Sequence, residues 1–86
     1  MLNIYIIAVG RYMYMGKNLK LKAARAEMDM TQDFLAAKVN VTRQTINAIE
    51  KGDYNPSINL CKAICRALGK TLDDLFWEDS DEKSGI

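Results

Sequence analysis

Residues 31–52 read TQDFLAAKVNVTRQTINAIEKG, a segment that predicts two short helices joined by a tight turn. Thr31 and Thr42 each precede a helical run, and their hydroxyl oxygens can accept a hydrogen bond from the first turn. The two predicted helices therefore begin eleven residues apart. Asn40 lies where the chain must reverse, and Asn tolerates the left-handed conformation better than most residues. Gly52 is predicted to end the second helix.

Each of these two helices has one apolar face. Leu35, Ala36 and Val39 share a face of the first helix, while Ile46 and Ile49 share a face of the second. The small side chain of Ala36 permits two helices that cross at a wide angle to approach closely. We therefore expect the two faces to close on each other around a tight turn.

The other face of the second helix carries four polar side chains and one small apolar residue. They are Arg43, Gln44, Asn47 and Lys51, with Ala48 among them. A helix face that is polar only for solubility usually carries Glu and Lys. Gln, Asn and Arg have donors and acceptors that match base edges in the major groove of DNA. The face combined with the tight turn therefore favours DNA recognition over a simple solvated surface.

Seven short motifs follow one another in a fixed order along the chain. They are Thr31-Gln32, Leu35-Ala36, Val41-Thr42-Arg43-Gln44-Thr45-Ile46, Ile49-Glu50-Lys51-Gly52, Asn55-Pro56-Ser57, Ala67-Leu68-Gly69 and Leu72-Asp73-Asp74-Leu75-Phe76. The ordered set resembles the Cro and phage-repressor-like helix-turn-helix regulators, the Xre family, over residues 18–77. The resemblance implies an all-α fold: a compact five-helix lambda-repressor-like domain. It also implies a sequence-specific regulator of transcription, by family habit a repressor, that binds double-stranded DNA.

The resemblance further implies roles for individual side chains. Gln32 would fix the start of helix two on a phosphate, and Gln44 would read a base. The full set expected to contact DNA is Gln32, Thr42, Arg43, Gln44, Thr45, Asn47, Lys51 and Asn55. Arg25 and Glu50 occupy the places of an ion pair that ties helix one to helix three, and neither is expected to touch DNA.

Three positions depart from the family pattern. Asp33 and Phe34 replace the usual glutamates after Gln32. Phe34 is expected either to be exposed or to pack on something outside the family core. Asp53 replaces a Gly or Lys and would place a carboxylate near the phosphate backbone.

Three more helices are predicted outside this stretch. Helix one is expected from Asn18 to Asp29, with Leu21, Ala24 and Met28 inward. Helix four follows a Ser57 cap and ends before Gly69. Its inward residues are expected to be Ile58, Cys61, Ile64, Cys65 and Leu68. Thr71 and Asp74 have the spacing of a capping box and open a short fifth helix through Leu75 or Phe76.

A length of eighty-six residues indicates one small domain. The net charge of the chain is +1. We divide the chain into an apolar N-terminal extension (1–15), the DNA-binding domain (16–77) and an acidic tail (78–86). The charges are segregated, because residues 16–70 carry ten Lys or Arg against five acids. Residues 71–86 carry six acids and one Lys, so the helical body suits a polyanion and the tail repels one.

A domain this small is marginal alone, which favours a homodimer on a palindromic operator. The apolar residues expected to remain for its interface are Leu60, Leu72, Leu75, Phe76 and Trp77. Two recognition helices would then enter successive major grooves, about 34 Å apart along the duplex.

The first fifteen residues allow three interpretations. Leu2–Val9 is apolar and β-prone but too short to span a bilayer, so no membrane association is expected. The segment could be a strand that pairs with another chain or with Phe76–Glu78, an arm used in dimerisation, or a stretch before the natural start. In the last case the natural start is expected at Met13 or Met15; the alternative is Met1. By the family's example, a two-stranded ribbon could pair Leu19–Leu21 with Phe76–Glu78.

Catalytic and metal chemistry have little support in the sequence. There is no His, no Gly-rich phosphate loop and no nucleophile beside a plausible base. Cys61 and Cys65 are expected to be reduced core residues of a cytoplasmic protein, with no metal, cofactor or small-molecule ligand. The alternative function is a protein-interaction module, such as an antitoxin-like adaptor that uses the same fold.

Overall fold

The computed structural model describes residues 11–13 and 17–79 of the chain. This part of the chain contains five helices and two short strands. In chain order they are β1 (Arg11–Met13), α1 (Leu19–Glu27), α2 (Gln32–Lys38), α3 (Arg43–Lys51), α4 (Ile58–Leu68), α5 (Leu72–Leu75) and β2 (Trp77–Asp79).

Every helix begins at a side chain that accepts a hydrogen bond from its first turn. Thr31, Thr42, Ser57 and Thr71 cap α2 to α5, as the sequence predicts. At α5 the Thr71 hydroxyl accepts from the Asp74 backbone, and the Asp74 carboxylate accepts from the Thr71 backbone. The capping box is therefore confirmed.

The core lies between the helices and is built from Leu21, Ala24, Met30, Leu35, Ala36, Ile46, Ile49, Cys61, Ile64, Cys65, Leu68, Leu75 and Phe76. The prediction that Met28 and Ile58 face inward is wrong. Met28 is 50% exposed because α1 already ends at Glu27, and Met30 turns inward in its place. Ile58 is 45% exposed because it occupies the first position of α4, at the edge of the core.

The short helix α5 is part of this core. Leu75 and Phe76 are 2% and 1% exposed, so the expectation that they form a leftover apolar surface for a dimer is wrong. Their burial follows from the position of α5, which packs against both α1 and α4. A chain of this size uses these two side chains to close its own core.

A two-stranded ribbon joins the ends of the described chain. β1 pairs antiparallel with β2, with Arg11 opposite Asp79, Tyr12 opposite Glu78 and Met13 opposite Trp77. The prediction of a ribbon after helix five is confirmed, but its proposed partner Leu19–Leu21 is wrong because those residues begin α1. Glu78 and Asp79 belong to this ribbon, although the sequence placed them in the acidic tail. Met1, Met15 and Leu2–Val9 lie outside the described residues.

Candidate nucleic-acid interface

Helices α2 and α3 form a helix-turn-helix unit. The chain reverses at Asn40, whose φ of 63° is in the left-handed region predicted for it. The Val41 backbone N–H then donates to the Ala36 carbonyl at 2.9 Å, which brings the chain back onto α2. Gly52 ends α3 with a φ of 86°. The small Ala36 side chain is buried at this crossing, as expected.

Helix α3 divides into a buried face and an outer face. Ile46, Ile49 and Glu50 are buried, whereas Arg43, Gln44 and Lys51 are exposed. Thr45, Asn47 and Ala48 lie at intermediate depth. The unit therefore presents the predicted row of amide and cationic side chains to solvent, while its other side is locked into the core.

The Arg25–Glu50 ion pair is confirmed, and it joins α1 to α3. The Arg25 Nε donates to Glu50 Oε2 at 2.8 Å, and Nη2 donates to Oε1 at 3.1 Å. Arg25 Nη1 donates to the Met30 carbonyl at 2.8 Å. Both side chains are largely buried, at 14% and 5% exposure. These two hydrogen bonds fix the buried face of α3 against α1.

Gln32 contacts the same carboxylate from α2. Its amide Nε2 donates to Glu50 Oε1 at 3.0 Å and to Asn47 Oδ1 at 3.2 Å. Both N–H groups of the amide are thus used within the protein. A phosphate contact by this amide, the role implied by the family resemblance, would have to replace one of these bonds.

Asn18 is an organising residue that the sequence reading took for an ordinary first residue of helix one. It is 2% exposed and precedes α1 as its cap, accepting from the Leu21 backbone N–H at 2.9 Å. Its own backbone N–H donates to the Glu50 carbonyl at 2.9 Å. An Asn directly before an apolar-periodic run is a capping signal, so the cap was predictable although the contact with α3 was not.

The remaining predicted contact residues lie at the two ends of α3. Thr42 and Thr45 bring their hydroxyl oxygens within 3.1 Å of each other at its start. Arg43 Nε lies 3.9 Å from Asp33 Oδ1, and both side chains are exposed. This pair therefore offsets the local positive charge only weakly. Asp53 and Asn55 are exposed in the loop between α3 and α4.

Several apolar side chains remain at the surface. Phe34 is 54% exposed and has the Lys38 amine 5.6 Å from its ring centre. Of the residues expected at a dimer interface, Leu60, Leu72 and Trp77 are partly buried against the core. Tyr54, at 47% exposure, adds an exposed aromatic ring in the loop after α3.

The two cysteines are free and buried in α4. Burial raises the pKa of the Cys61 thiol to about 12, with a further contribution from Cys65. Burial likewise raises the pKa of Cys65 to about 11, with a smaller effect from Asp74. These thiols stay protonated at neutral pH and pack as small apolar groups.

The described residues contain neither a metal-binding cluster nor a membrane-spanning helix. Over residues 11–13 and 17–79, no cluster of three or more His, Cys, Asp or Glu side chains is arranged to hold a metal ion. Within the same part of the chain, no helix is long and apolar enough to cross a membrane.

Comparison with known proteins places this geometry in a family. A family profile described as helix-turn-helix matches residues 21–75. The uncharacterized HTH-type transcriptional regulator YgzD of Bacillus subtilis (strain 168) is 45% identical over 62 residues, which are 72% of this chain and 94% of that protein. The immunity repressor protein of Bacillus phage phi105 is 36% identical over 61 residues, 71% of this chain and 42% of that protein.

A solved structure shows the same fold. The clp gene regulator ClgR from Corynebacterium glutamicum aligns with a TM-score of 0.62 and 29% identity, over 64% of this chain and 58% of that one. Its fold agrees with the lambda-repressor-like arrangement that the sequence predicts. The chain belongs to the Cro and phage-repressor-like (Xre) family of helix-turn-helix transcriptional regulators, a class of DNA-binding proteins.

Proposed function

We propose that this protein is a repressor that places α3 in the major groove of a palindromic operator. The observation that carries the proposal is the two-sided character of α3. Its inner face is fixed by the core and by the Arg25–Glu50 pair, while Arg43, Gln44 and Lys51 remain exposed on the outer face. A rigidly held helix with outward amide and guanidinium groups suits base recognition.

The proposed contacts divide by chemistry. Gln44 and Asn47 are proposed to read base edges, because amides carry paired donors and acceptors. The remaining proposed contacts, to phosphates or bases, are Thr42, Arg43, Thr45, Lys51 and Asn55. Asn55 is exposed in the loop after α3, two residues after Asp53 in the sequence. The similarity to a phage immunity repressor supports repression rather than activation.

We further propose that the protein acts as a two-fold homodimer. One recognition helix reads only a few base pairs, and two such helices about 34 Å apart would engage successive major grooves. The interface proposed here uses Leu60, Leu72 and Trp77, the partly buried apolar residues of α4, α5 and β2. Operator DNA as the partner implies a cytoplasmic location.

A gel shift with DNA from the protein's own promoter region tests the proposal. Phosphate contacts release counterions, so affinity should fall steeply as salt increases, by about a thousand-fold between 50 and 200 mM if six or more phosphates are contacted. Unlabelled competitor of random sequence separates specific from general binding. A chain that shifts no DNA at low salt would contradict the proposal and favour the antitoxin-like or adaptor function.

A further inference from the structure

Lysines from two helices lie near one another at the C-terminal end of α3. The Asn18 backbone N–H donates to the Glu50 carbonyl at 2.9 Å. Lys17 directly precedes the donor residue and Lys51 directly follows the acceptor residue, so the two lysines are neighbours in space. Both side chains are exposed. This hydrogen bond therefore places a cation from the start of α1 beside the last residue of α3.

Lys22 lies on the side of α1 that is turned toward α3. Its backbone N–H donates to the Asn18 carbonyl at 3.3 Å, in the first turn of the helix. Lys22 precedes Arg25 by three residues, and side chains at this spacing share one helix face. Because Arg25 bonds to Glu50, that face is the one that contacts α3. Lys22 is exposed, so it lies at the solvent edge of this contact.

Lys17, Lys22 and Lys51, the α1–α3 lysine cluster, carry positive charge that the fold does not neutralise. Over residues 11–13 and 17–79, none of the three forms an ion pair. Asp53, two residues after Lys51, is exposed and supplies one opposing charge, so three cations outnumber it. Like charges held near one another repel, and an anion bound among them would relieve the repulsion.

We infer that Lys17 and Lys22 bind phosphates of the operator from α1, and that with Lys51 they hold the end of α3 against the DNA backbone. This inference rests on the proposed function. The nine residues of α3 are about 13 Å long at a rise of about 1.5 Å per residue. The major groove is about 12 Å wide, so the end of α3 approaches one phosphate backbone when its start approaches the other. Lys amines bind phosphates as point charges, and such contacts carry no sequence preference.

The two sides of α1 then have different roles. The DNA contacts implied by the family resemblance lie on α2, α3 and the loop after α3, so α1 adds a further element. Lys20 comes two residues before Lys22 and lies on nearly the opposite side of the helix. It lines a groove with Lys70 and Asp74, next to α5. Lys20 is therefore a matched control, an exposed lysine of α1 that is not expected to reach DNA.

The salt dependence of operator binding by the full-length protein provides the test. Each phosphate contact contributes about 0.9 to the slope of log affinity against log salt concentration. Lys17→Gln and Lys22→Gln should each reduce this slope by about one and weaken binding about three- to ten-fold near 100 mM salt. Both variants should keep the base preferences of the parent protein. Lys20→Gln should keep the parent slope and bind within about two-fold of the parent, because salt screens a distant charge.

Ethylation of single phosphates in the operator locates the contacts. A phosphate that Lys17 binds should weaken the parent protein when ethylated and have no effect on Lys17→Gln. The same comparison with Lys22→Gln identifies the phosphate bound by Lys22. The two phosphates should be neighbours on one strand, because the two lysines are held on the same side of α1.

Urea unfolding separates a contact with DNA from a structural role. A cation near the C-terminal end of a helix also complements the helix dipole, a role that would lower the free energy of unfolding in the variants and leave the salt slope unchanged. Slopes for Lys17→Gln and Lys22→Gln that match Lys20→Gln would overturn the inference, although the parent protein still binds its operator. A changed base preference in either variant would also overturn it. If the parent protein binds no DNA, the proposed function fails as well.

Discussion

The side-chain amide of Asn18 donates to the backbone carbonyl of Leu75 at 3.0 Å, across 57 residues of sequence. The same side chain caps α1, and the Asn18 backbone N–H donates to the Glu50 carbonyl at 2.9 Å. One buried residue thus joins the start of α1 to the end of α3 and to α5. The position of α3 and the closure of the core therefore both depend on Asn18.

Asn18→Ala should destabilise the fold by about 2 to 4 kcal/mol. Loss of a cap costs about 1 kcal/mol, and a buried carbonyl without its donor costs about 1 to 3 kcal/mol more. Urea unfolding measures the change. Thr31→Ala is the matched control, because it removes an exposed cap alone and should cost about 1 kcal/mol. Equal losses in the two variants would show that the Leu75 contact contributes nothing.

Glu50→Ala should cost about 3 kcal/mol or more, because it strands the charge of Arg25 among buried groups and removes an acceptor of Gln32. Asp33→Ala, which removes the exposed partner of Arg43, should stay within about 0.5 kcal/mol. DNA binding by Glu50→Ala should fall only as far as unfolding explains. Urea melts that coincide with those of the parent protein would refute a stabilising pair.

Local signals in the sequence predicted most of the fold. The features that could not be predicted depend on contacts between residues far apart in the sequence. The caps at Thr31, Thr42, Ser57 and Thr71 need only their own first turn, so they were readable. The inward turn of Met30 depends on where α1 stops, which the apolar period alone does not set. Burial of Leu75 and Phe76 depends on α1 and Asn18, far away in sequence.

The same limit applies to the candidate site. The polar face of α3 follows from helical periodicity, and the family resemblance supplied the Arg25–Glu50 pair. The bonds of Gln32 to Asn47 and Glu50 span 15 and 18 residues between two helices. They depend on the crossing of α2 and α3, so no pattern along the chain reveals them.

Asp74 should contribute to stability in a pH-dependent manner. Hydrogen bonds from the Thr71 backbone and hydroxyl lower the pKa of this carboxyl, aided by Lys70 and Lys20. A folded-state pKa below the unfolded value stabilises the fold above the unfolded pKa, and this stabilisation is lost as pH falls through the folded one. The difference in unfolding free energy between the parent and Asp74→Asn should therefore shrink between neutral pH and about pH 3. A difference that stays constant over this range would exclude the charged capping box.

Leu60→Asp should convert the proposed dimer into a monomer with weaker operator binding. Sedimentation at micromolar concentration should give the parent protein twice its chain mass of 9.7 kDa and the variant the single mass. Ile58→Asp is the control, because that side chain is on the same helix but 45% exposed and outside the proposed interface. A parent chain that is monomeric yet protects a palindromic site would contradict the dimer. A dimer that is lost only when residues 1–15 are removed would show that Leu60, Leu72 and Trp77 do not form the interface.

The base preference of Gln44→Ala shows whether α3 reads bases. Gln44 is exposed, so the substitution should leave the fold intact. Titration of selected operator variants should show a loss of about 1 to 3 kcal/mol in specific binding and relaxed preference at one base position. Asn59→Ala, which removes an exposed amide from α4, should keep every preference of the parent. If Gln44→Ala binds the same sites with the same preferences as the parent, α3 does not dock as proposed.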